Sequence, residues 1–410
     1  MNNVITTQCC IAGGGPAGMM LGFLLARSGI DVIVLEKHAD FLRDFRGDTI
    51  HPSTLELMHE LGLLDEFLKR PHQEARRLSG QINHARVTMA DFSHLPTCCK
   101  FIALMPQWDF LSFLAEQGKH YPGFRLMMRA EVTDLVAENE RIAGVKAKTP
   151  DGEIEIRSAL TIGADGRSST VRERTGLQVM DIGAPMDVLW MRISRQPTDS
   201  AEVLGHVEPG KLLVMIDRED YWQCGYVIPK GAAEEMRKRG IEKFRDDLVS
   251  LEPFLRDRVH ELHDWNDVSL LTVKVDRLRQ WSRPGLLCIG DAAHAMSPVG
   301  GVGINLAVQD AVAAANILAA KLATGTLTSD DLLTVQQRRD FPTRATQRLQ
   351  VFIQNKVVSR VLRSSRPIAV PFPIRLLQRF PALRRIPARV IGMGFRPEHV
   401  RTPENSFGTR

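Results

Sequence analysis

Two rhythms of apolar and polar positions alternate along this chain. Gln8–Ala12 is a short apolar run, Gly13-Gly-Gly15-Pro-Ala-Gly18 is a tight turn, and Met19–Ala26 is apolar nearly all round. That order predicts a strand, a turn and a helix packed on both sides. Gly29 is placed to close the helix. The Val-Ile-Val-Leu run within Asp31–Leu35 reads as a buried parallel strand. A second helix is predicted over Ser53–Leu61, with Ser53 as N-cap and Glu56 three residues on, a capping box.

The middle of the chain follows a different rhythm. Val188–Ser194, Leu212–Asp217 and Tyr221–Ile228 have strand composition, and Arg218-Glu-Asp220 suggests a hairpin between the last two. A separate antiparallel sheet is therefore expected over roughly 175–280. Then Leu286–Ile289 reads as a buried strand and Ile304–Leu322 as a long helix. A more charged helix is expected over about 332–364. Beyond it, prolines from Pro367 to Pro397 allow only short helices.

Composition adds little until charge is located. The 410 residues are 44% hydrophobic and 25% charged, ordinary for a soluble globular chain. A net charge of +5 does not indicate a nucleic-acid binder. Residues 356–410, however, hold 12 Lys+Arg against Glu398 and Glu404, a net of +10, which leaves a net of −5 before them. The six cysteines fit neither a disulfide framework nor zinc spacing, so a reducing compartment and no metal are expected. No signal peptide is visible. The apolar stretch Val299–Leu322 carries Asn305, Gln309, Asp310 and Asn316, too polar for lipid. The expected location is cytoplasmic.

The chemistry begins at Gly13-x-Gly15-x-x-Gly18. A strand before it and a helix after it are the context a dinucleotide site requires. Gly13 permits the turn, Gly15 lets backbone approach a pyrophosphate, and Gly18 lets helix and strand pack closely. The helix N-terminus offers free N–H groups and partial positive charge. Glu36 ends the second strand, where an acid can accept hydrogen bonds from ribose hydroxyls. Two later segments repeat the strand-then-turn pattern. Gly163-Ala-Asp165-Gly166-Arg-Ser168 follows Ala159–Ile162. Gly290-Asp291-Ala-Ala-His294 leads into Pro298-Val-Gly300-Gly301-Val-Gly303-Ile-Asn305.

With these three signatures in this order, residues 5–320 resemble the single-component FAD-dependent aromatic hydroxylases, typified by para-hydroxybenzoate hydroxylase. Arg46-Gly47, Leu61-Gly62-Leu63 and Pro106-Gln107-Trp-Asp-Phe-Leu111 extend the resemblance. It implies an α/β fold: a Rossmann-like FAD-binding domain (1–175 and 281–330), an inserted mainly antiparallel β-sheet substrate domain (176–280) and a basic helical C-terminal segment (331–410). It also implies roles. Gly13, Gly15 and Gly18, with Pro16 and Ala17, would face the FAD pyrophosphate. Glu36, with Lys37 beside it, would meet the adenosine ribose. Arg46 would lie by the pyrophosphate and flavin, Gln107 by the ribityl chain, and Val132 by the adenine. Asp291 would bond ribityl hydroxyls. Asp165 would support FAD and the nicotinamide cofactor, or simply cap the helix that follows it. Gly301, Val302, Gly303, Ile304 and Asn305 would approach the pyrimidine edge of the flavin, where a helix N-terminus favours the anion of the reduced ring.

The implied reaction is hydroxylation. NADH or NADPH reduces FAD, O2 gives a flavin C4a-hydroperoxide, and one oxygen passes to an aromatic, phenol-like or quinol-like small molecule. Arg46 and Pro298 are the candidates nearest the reaction. Thr49, Arg192, Tyr226 and Pro298 are candidates for the substrate side, and no base can be assigned among Arg192, Tyr221, Tyr226 and His206. His294 reads as a structural hydrogen-bonding residue. A flavin-dependent halogenase or a reductase on the same scaffold is an alternative, though Trp222-Gln-Cys-Gly-Tyr226-Val-Ile-Pro229 lacks a second Trp. A non-catalytic FAD-binding interaction module is another. A homodimer is expected from the family. The basic tail reads either as short helices packed on the body or as a weak membrane-surface contact.

Overall fold

The structure, a computed structural model, describes residues 3–42, 49–199 and 205–405. Five strands run parallel, in the spatial order Phe124–Met128, Val32–Glu36, Asn3–Ala12, Gly152–Gly163 and Leu286–Cys288. Val32–Glu36 is buried throughout, as expected of a strand covered on both faces. The order reverses between the first strand and Gly152–Gly163, at Ala12 and Gly163. Open α/β sheets bind ligands outside the carboxyl ends of the strands at such a reversal. An antiparallel ribbon, Glu131–Glu138 and Arg141–Thr149, branches from the first half of Gly152–Gly163.

Helix Pro16–Arg27 is buried from Ala17 to Ala26, so it has no polar face to present to water. It packs against the long helix Gly303–Thr324 and against Gln107–Gly118. By length and composition Val299–Thr324 could cross a bilayer, but 78% of that window lies inside the molecule. Gly290, with φ +59°, sits between these helices. A Cβ there would lie 3.0 Å from Ala17 Cβ and 3.3 Å from Ala307 Cβ.

A second sheet stands beside the first. Its order is Ser269–Leu271, Met186–Ser194, Tyr221–Pro229, Lys211–Asp217, Gly205–Glu208, Arg77–Ile82 and Ala85–Asp91. Five of its strands come from the middle segment in antiparallel pairs, two of them joined through the hairpin at 218–220. The last two come from residues 77–91, which lie in the segment assigned by sequence to the first domain. Gly205–Glu208 accepts Arg77–Ile82 as a parallel neighbour, with His206 opposite Gln81. One face is covered by helix Ile241–Leu251, and Leu189, Met191, Cys224, Tyr226 and Ile228 form that core.

Two local expectations change. Helix Pro52–Glu60 begins at Pro52 with His51 as N-cap and has no side-chain cap. Ser53 is inside the helix, and Glu56 accepts instead from the Cys98 N–H at 2.9 Å. Proline at the first helical position made the serine cap unnecessary. The charged helix runs Ser329–Ile353, opened by a capping box between Thr328 and Asp331. It continues through a π turn at Gln354–Val358 and ends with Ser359–Arg363.

Replacing Gly290 by alanine should force methyl groups together between two buried helices, at a left-handed φ. We expect a loss of about 1–3 kcal/mol, read as a lower midpoint in urea unfolding. An unchanged midpoint would show that the two helices do not meet at this turn.

Candidate functional site

Three turns converge at the reversal point because their strands end there. Gly13 N–H donates to Leu35 O at 2.8 Å, and Ala164 N–H donates to Ala12 O at 2.8 Å. Gly13 adopts φ +105°, and a Cβ on it would lie 2.4 Å from Ala164 O. A Cβ on Gly18 would lie 1.9 Å from Gly13 O. Gly15 differs: its nearest neighbour would be 4.0 Å away. The first two glycines allow packing, whereas the third leaves space for something outside the chain. Helix Pro16–Arg27 starts there with no side-chain cap and no acid in its first turn. Its first N–H groups are capped by no side chain, the arrangement of an anion cradle.

Glu36 borders this cradle. Its Oε2 accepts from Gly14 N–H at 3.1 Å and its Oε1 from His38 N–H at 3.0 Å. The carboxylate therefore braces the glycine turn. Lys37 is exposed next to it. Val132 is buried in its strand opposite Ala147. Gln107 is half-buried at the start of helix Gln107–Gly118.

The second turn has its own pairings. Asp165 accepts from the Ser169 hydroxyl and, at 3.1 Å, from Val171 N–H, so it braces the start of helix Thr170–Thr175, whose N-cap is Ser169. Burial pushes its carboxyl above the ordinary value, more than these hydrogen bonds pull it down. Asp291, in the third turn, accepts from Arg167 Nη2 at 3.3 Å and stays partly exposed. Arg167 Nη1 is buried with no partner among the described residues. A buried guanidinium nitrogen without an acceptor fits an anionic or hydroxyl-bearing group in the crevice.

The loop at 298–305 forms a second uncapped helix start. Gly300 and Gly301 take φ +81° and +62°. Helix Gly303–Thr324 has no side-chain cap and no acid in its first turn. A Cβ on Gly303 would meet nothing within 4 Å. Val302 is half-buried and Ile304 is buried. Asn305 shapes this end. Its Oδ1 accepts from His51 N–H and from Thr54 Oγ1, both at 2.8 Å. Its Nδ2 donates to Thr49 O at 3.0 Å and Gly301 O at 3.4 Å. Thr49 Oγ1 donates to Gly301 O at 2.7 Å. The side chains of Asn305 and Thr49 thus lock the loop rather than reach out of it. Pro298 O accepts from Gly301 N–H at 3.0 Å.

The substrate-side candidates separate. Trp190 and Arg192 share one face of the second sheet. The Trp190 ring covers Gly225, where a Cβ would lie 2.9 Å from it. Trp190 also packs with Ile102, Leu104 and Ile216. The Arg192 guanidinium lies 4.9 Å over the Tyr221 ring and is exposed. Tyr226 faces the other way, 5.4 Å from Phe244. Strand alternation puts it on the helix-covered side, so it does not join Arg192 in one wall. Arg46 lies outside the described residues.

Two groups carry more than their local sequence suggested. His51 is buried; its Nδ1 donates to Ile391 O at 2.7 Å, and Nε2 has no partner among the described residues. A carbonyl only accepts, so Nδ1 holds the proton of a neutral ring. Burial pulls its pKa down to about 4, against a weaker opposite pull from Ile391 O. Asp310 is buried in the middle of an apolar helix. It accepts from Gly290 N–H at 3.1 Å, from Arg339 Nε at 2.9 Å and pairs with His294 Nε2 at 2.5 Å. A lone acid in an apolar helix was the signal available for it.

Comparison with known proteins agrees with this geometry. A family model described as FAD binding domain matches residues 6–349. The chain is 32% identical to 6-methylpretetramide 4-monooxygenase of Streptomyces rimosus over 388 residues, 94% of this chain and 92% of that one. It is 30% identical to rifampicin monooxygenase of Streptomyces venezuelae over 73% of its length, spanning 61% of that longer protein. Among solved structures, p-nitrophenol 4-monooxygenase PnpA of Pseudomonas putida superposes with a TM-score of 0.75 at 19% identity, covering 95% of this chain and 96% of that one.

The neutral His51 makes a pH signature. Unfolded, the ring takes up a proton as pH falls through 6.5; folded, it resists until about 4. The unfolded state binds more protons in that window, so stability is lost as pH falls from 6.5 to 4, by roughly 3 kcal/mol. His51→Asn keeps a donor for Ile391 O and removes the titration. Its unfolding free energy should fall less steeply over the same window. Equal slopes for both proteins would remove His51 as the source.

Proposed function

The chain belongs to the FAD binding domain family, and on that premise we propose hydroxylation of a polycyclic phenol by this FAD-dependent monooxygenase. The observation that carries this reading is the meeting of two uncapped helix starts at one strand reversal, in a chain 32% identical along 94% of its length to 6-methylpretetramide 4-monooxygenase. That relative's name supports a fused-ring phenol over a simple benzoate. NADH or NADPH is the electron donor and O2 the oxygen donor. The balance is one nicotinamide oxidised, one oxygen atom inserted and one water released.

The residues fit FAD. Gly13, Gly15, Pro16, Ala17 and Gly18 would cradle the diphosphate with the N–H groups of Pro16–Arg27. Glu36 would serve the ribose, and its hold on Gly14 fixes the turn it serves. Asp291, steered by Arg167, would accept from the ribityl hydroxyls. Gln107 and Val132 would flank the ribityl and adenine ends. The N–H groups at Val302, Gly303 and Ile304 would meet the pyrimidine edge, and Asn305 would hold them there through Thr49 and His51. Asp165 supports this wall through the helix start it braces. FAD, when bound, supplies hydride acceptance from the nicotinamide and activation of O2 for transfer of one oxygen atom.

The second sheet would supply the wall that holds a substrate and excludes water. Trp190 and Ile216 pack with Ile102 and Leu104 and join this sheet to the segment assigned by sequence to the first domain. The neutral His51, within the Asn305 network, cannot add a positive charge to the flavin environment at neutral pH. Neither a halogenase nor a non-catalytic module is favoured by the relatives named above.

Purified protein should carry flavin absorbance and oxidise NADH or NADPH faster when polycyclic phenols are added. The product should gain the mass of one oxygen atom, taken from labelled O2. Products without that label would overturn the monooxygenase reading. Asp291→Ala removes a charged acceptor worth about 1.5–3 kcal/mol, so its FAD dissociation constant should rise at least about tenfold. Unaltered flavin retention would take Asp291 out of the site.

A further inference from the structure

From Phe341 to Pro397 the sequence holds 12 Lys and Arg and no Asp or Glu. The FAD site uses none of these charges. The structure shows how the second half of this tract is arranged. Helix Phe372–Arg379 lies on the edge strand Ala85–Asp91 of the second sheet. Gln378 fastens it there: its Nε2 donates to Thr88 O at 2.8 Å, and its Oε1 accepts from Thr88 N–H at 3.2 Å. Helix Arg385–Gly392 packs through Ala388 and Gly392 against Phe92 and Leu95. Both helices are therefore held by one face.

Their other faces are apolar and basic together. Phe372, Arg375 and Arg379 follow at i, i+3 and i+7, one stripe of a helix. Phe372 is 68% exposed, Phe380 51% and Ile386 63%. Arg375, Arg379, Arg385 and Arg389 are exposed, and none has an acidic partner among the described residues. The Arg379 guanidinium lies 5.5 Å over the Phe380 ring. Ordinary surface helices pair their charges and turn aromatic side chains inward. Here aromatic tips stand out among unpaired cations.

We propose that this face docks on an anionic lipid bilayer. Charge complementarity selects that occupant. A tract without a single acid attracts a diffuse negative surface whatever its orientation, and a leaflet of anionic headgroups is such a surface. Phe372, Phe380 and Ile386 then enter the boundary between headgroups and acyl chains, while the arginines reach phosphates with their stems against the lipid. The prolines that break the segment into two short helices let both lie on one support, the edge of the substrate sheet. The docked face is thus the outer side of the wall that holds an apolar substrate, but lipid binding does not depend on that reading.

The full chain should be centrifuged with vesicles of phosphatidylcholine alone and with about 30% phosphatidylglycerol. At about 0.05 M NaCl, partition onto the anionic vesicles should exceed that onto neutral ones at least tenfold, and about 0.5 M NaCl should abolish the difference. Two triple variants locate the surface. Arg375→Glu/Arg379→Glu/Arg385→Glu should lower anionic partition at least tenfold. Phe372→Ala/Phe380→Ala/Ile386→Ala should lower it severalfold while keeping the salt dependence. Both should keep flavin content and turnover of a water-soluble phenol. Wild-type protein left in the supernatant at low salt overturns the proposal, as do variants that bind like wild type. Saturable, salt-sensitive binding of an acidic soluble protein with vesicles left bare would assign the face to a protein partner and overturn it equally.

Discussion

The buried carboxylate of Asp310 fixes the distances on which the site depends. It lies within the apolar helix Gly303–Thr324, yet it receives the backbone N–H of Gly290, the ring of His294 and the guanidinium of Arg339. Burial alone would raise its pKa, but His294 and Arg339 outweigh that and hold it below the ordinary carboxylate range. Arg339 passes the charge balance on to Glu398, which Arg338 also pairs at 2.7 Å. One network thus ties the third turn, two long helices and the C-terminal strap. Removing one partner of such a set leaves an uncompensated buried charge, at a cost of about 3–5 kcal/mol.

This anchoring explains how two helix N-termini come together at one end of the sheet. The start of Pro16–Arg27 belongs to the first strand, and the start of Gly303–Thr324 lies nearly three hundred residues later in sequence. Gly290 lets the two helices touch through Ala17 and Ala307, and Asp310 holds Gly290. Asn305 then joins the second helix to the segment beginning at Thr49. Backbone amides at both helix starts are left without side-chain caps. The C-terminal strap takes part as well, since Ile391 O fixes the ring of His51.

What could be read along the chain was what local spacing encodes. Gly13, Gly15 and Gly18 declare a turn and a close approach by their lack of side chains. Glu36 declares itself by ending a buried strand. Val188–Ser194 and its neighbours show strand composition over a few residues. Asp165 could not be resolved in this way, because a helix cap and a cofactor contact ask for the same residue at the same place. The structure joins Asp165 to the N-cap Ser169 and to Val171 in the first turn. Ser53 and Glu56 matched a capping box, but Pro52 preorganised the helix start and Cys98, distant in sequence, took the carboxylate.

By itself the sequence determined the order of strands and helices, the dinucleotide turn and the unequal distribution of charge, because each rests on neighbours in the chain. Only the tertiary structure decided which face Tyr226 would present, that residues 77–91 would join the second sheet, and that Asn305 and His51 would share one network at the start of Gly303–Thr324. It also decided that Asp310, in a helix too polar for lipid, would sit among cations. The physical reason is the same in each case. A buried polar group is defined by the partner that satisfies it, and those partners lie tens to hundreds of residues away, where no local pattern reaches.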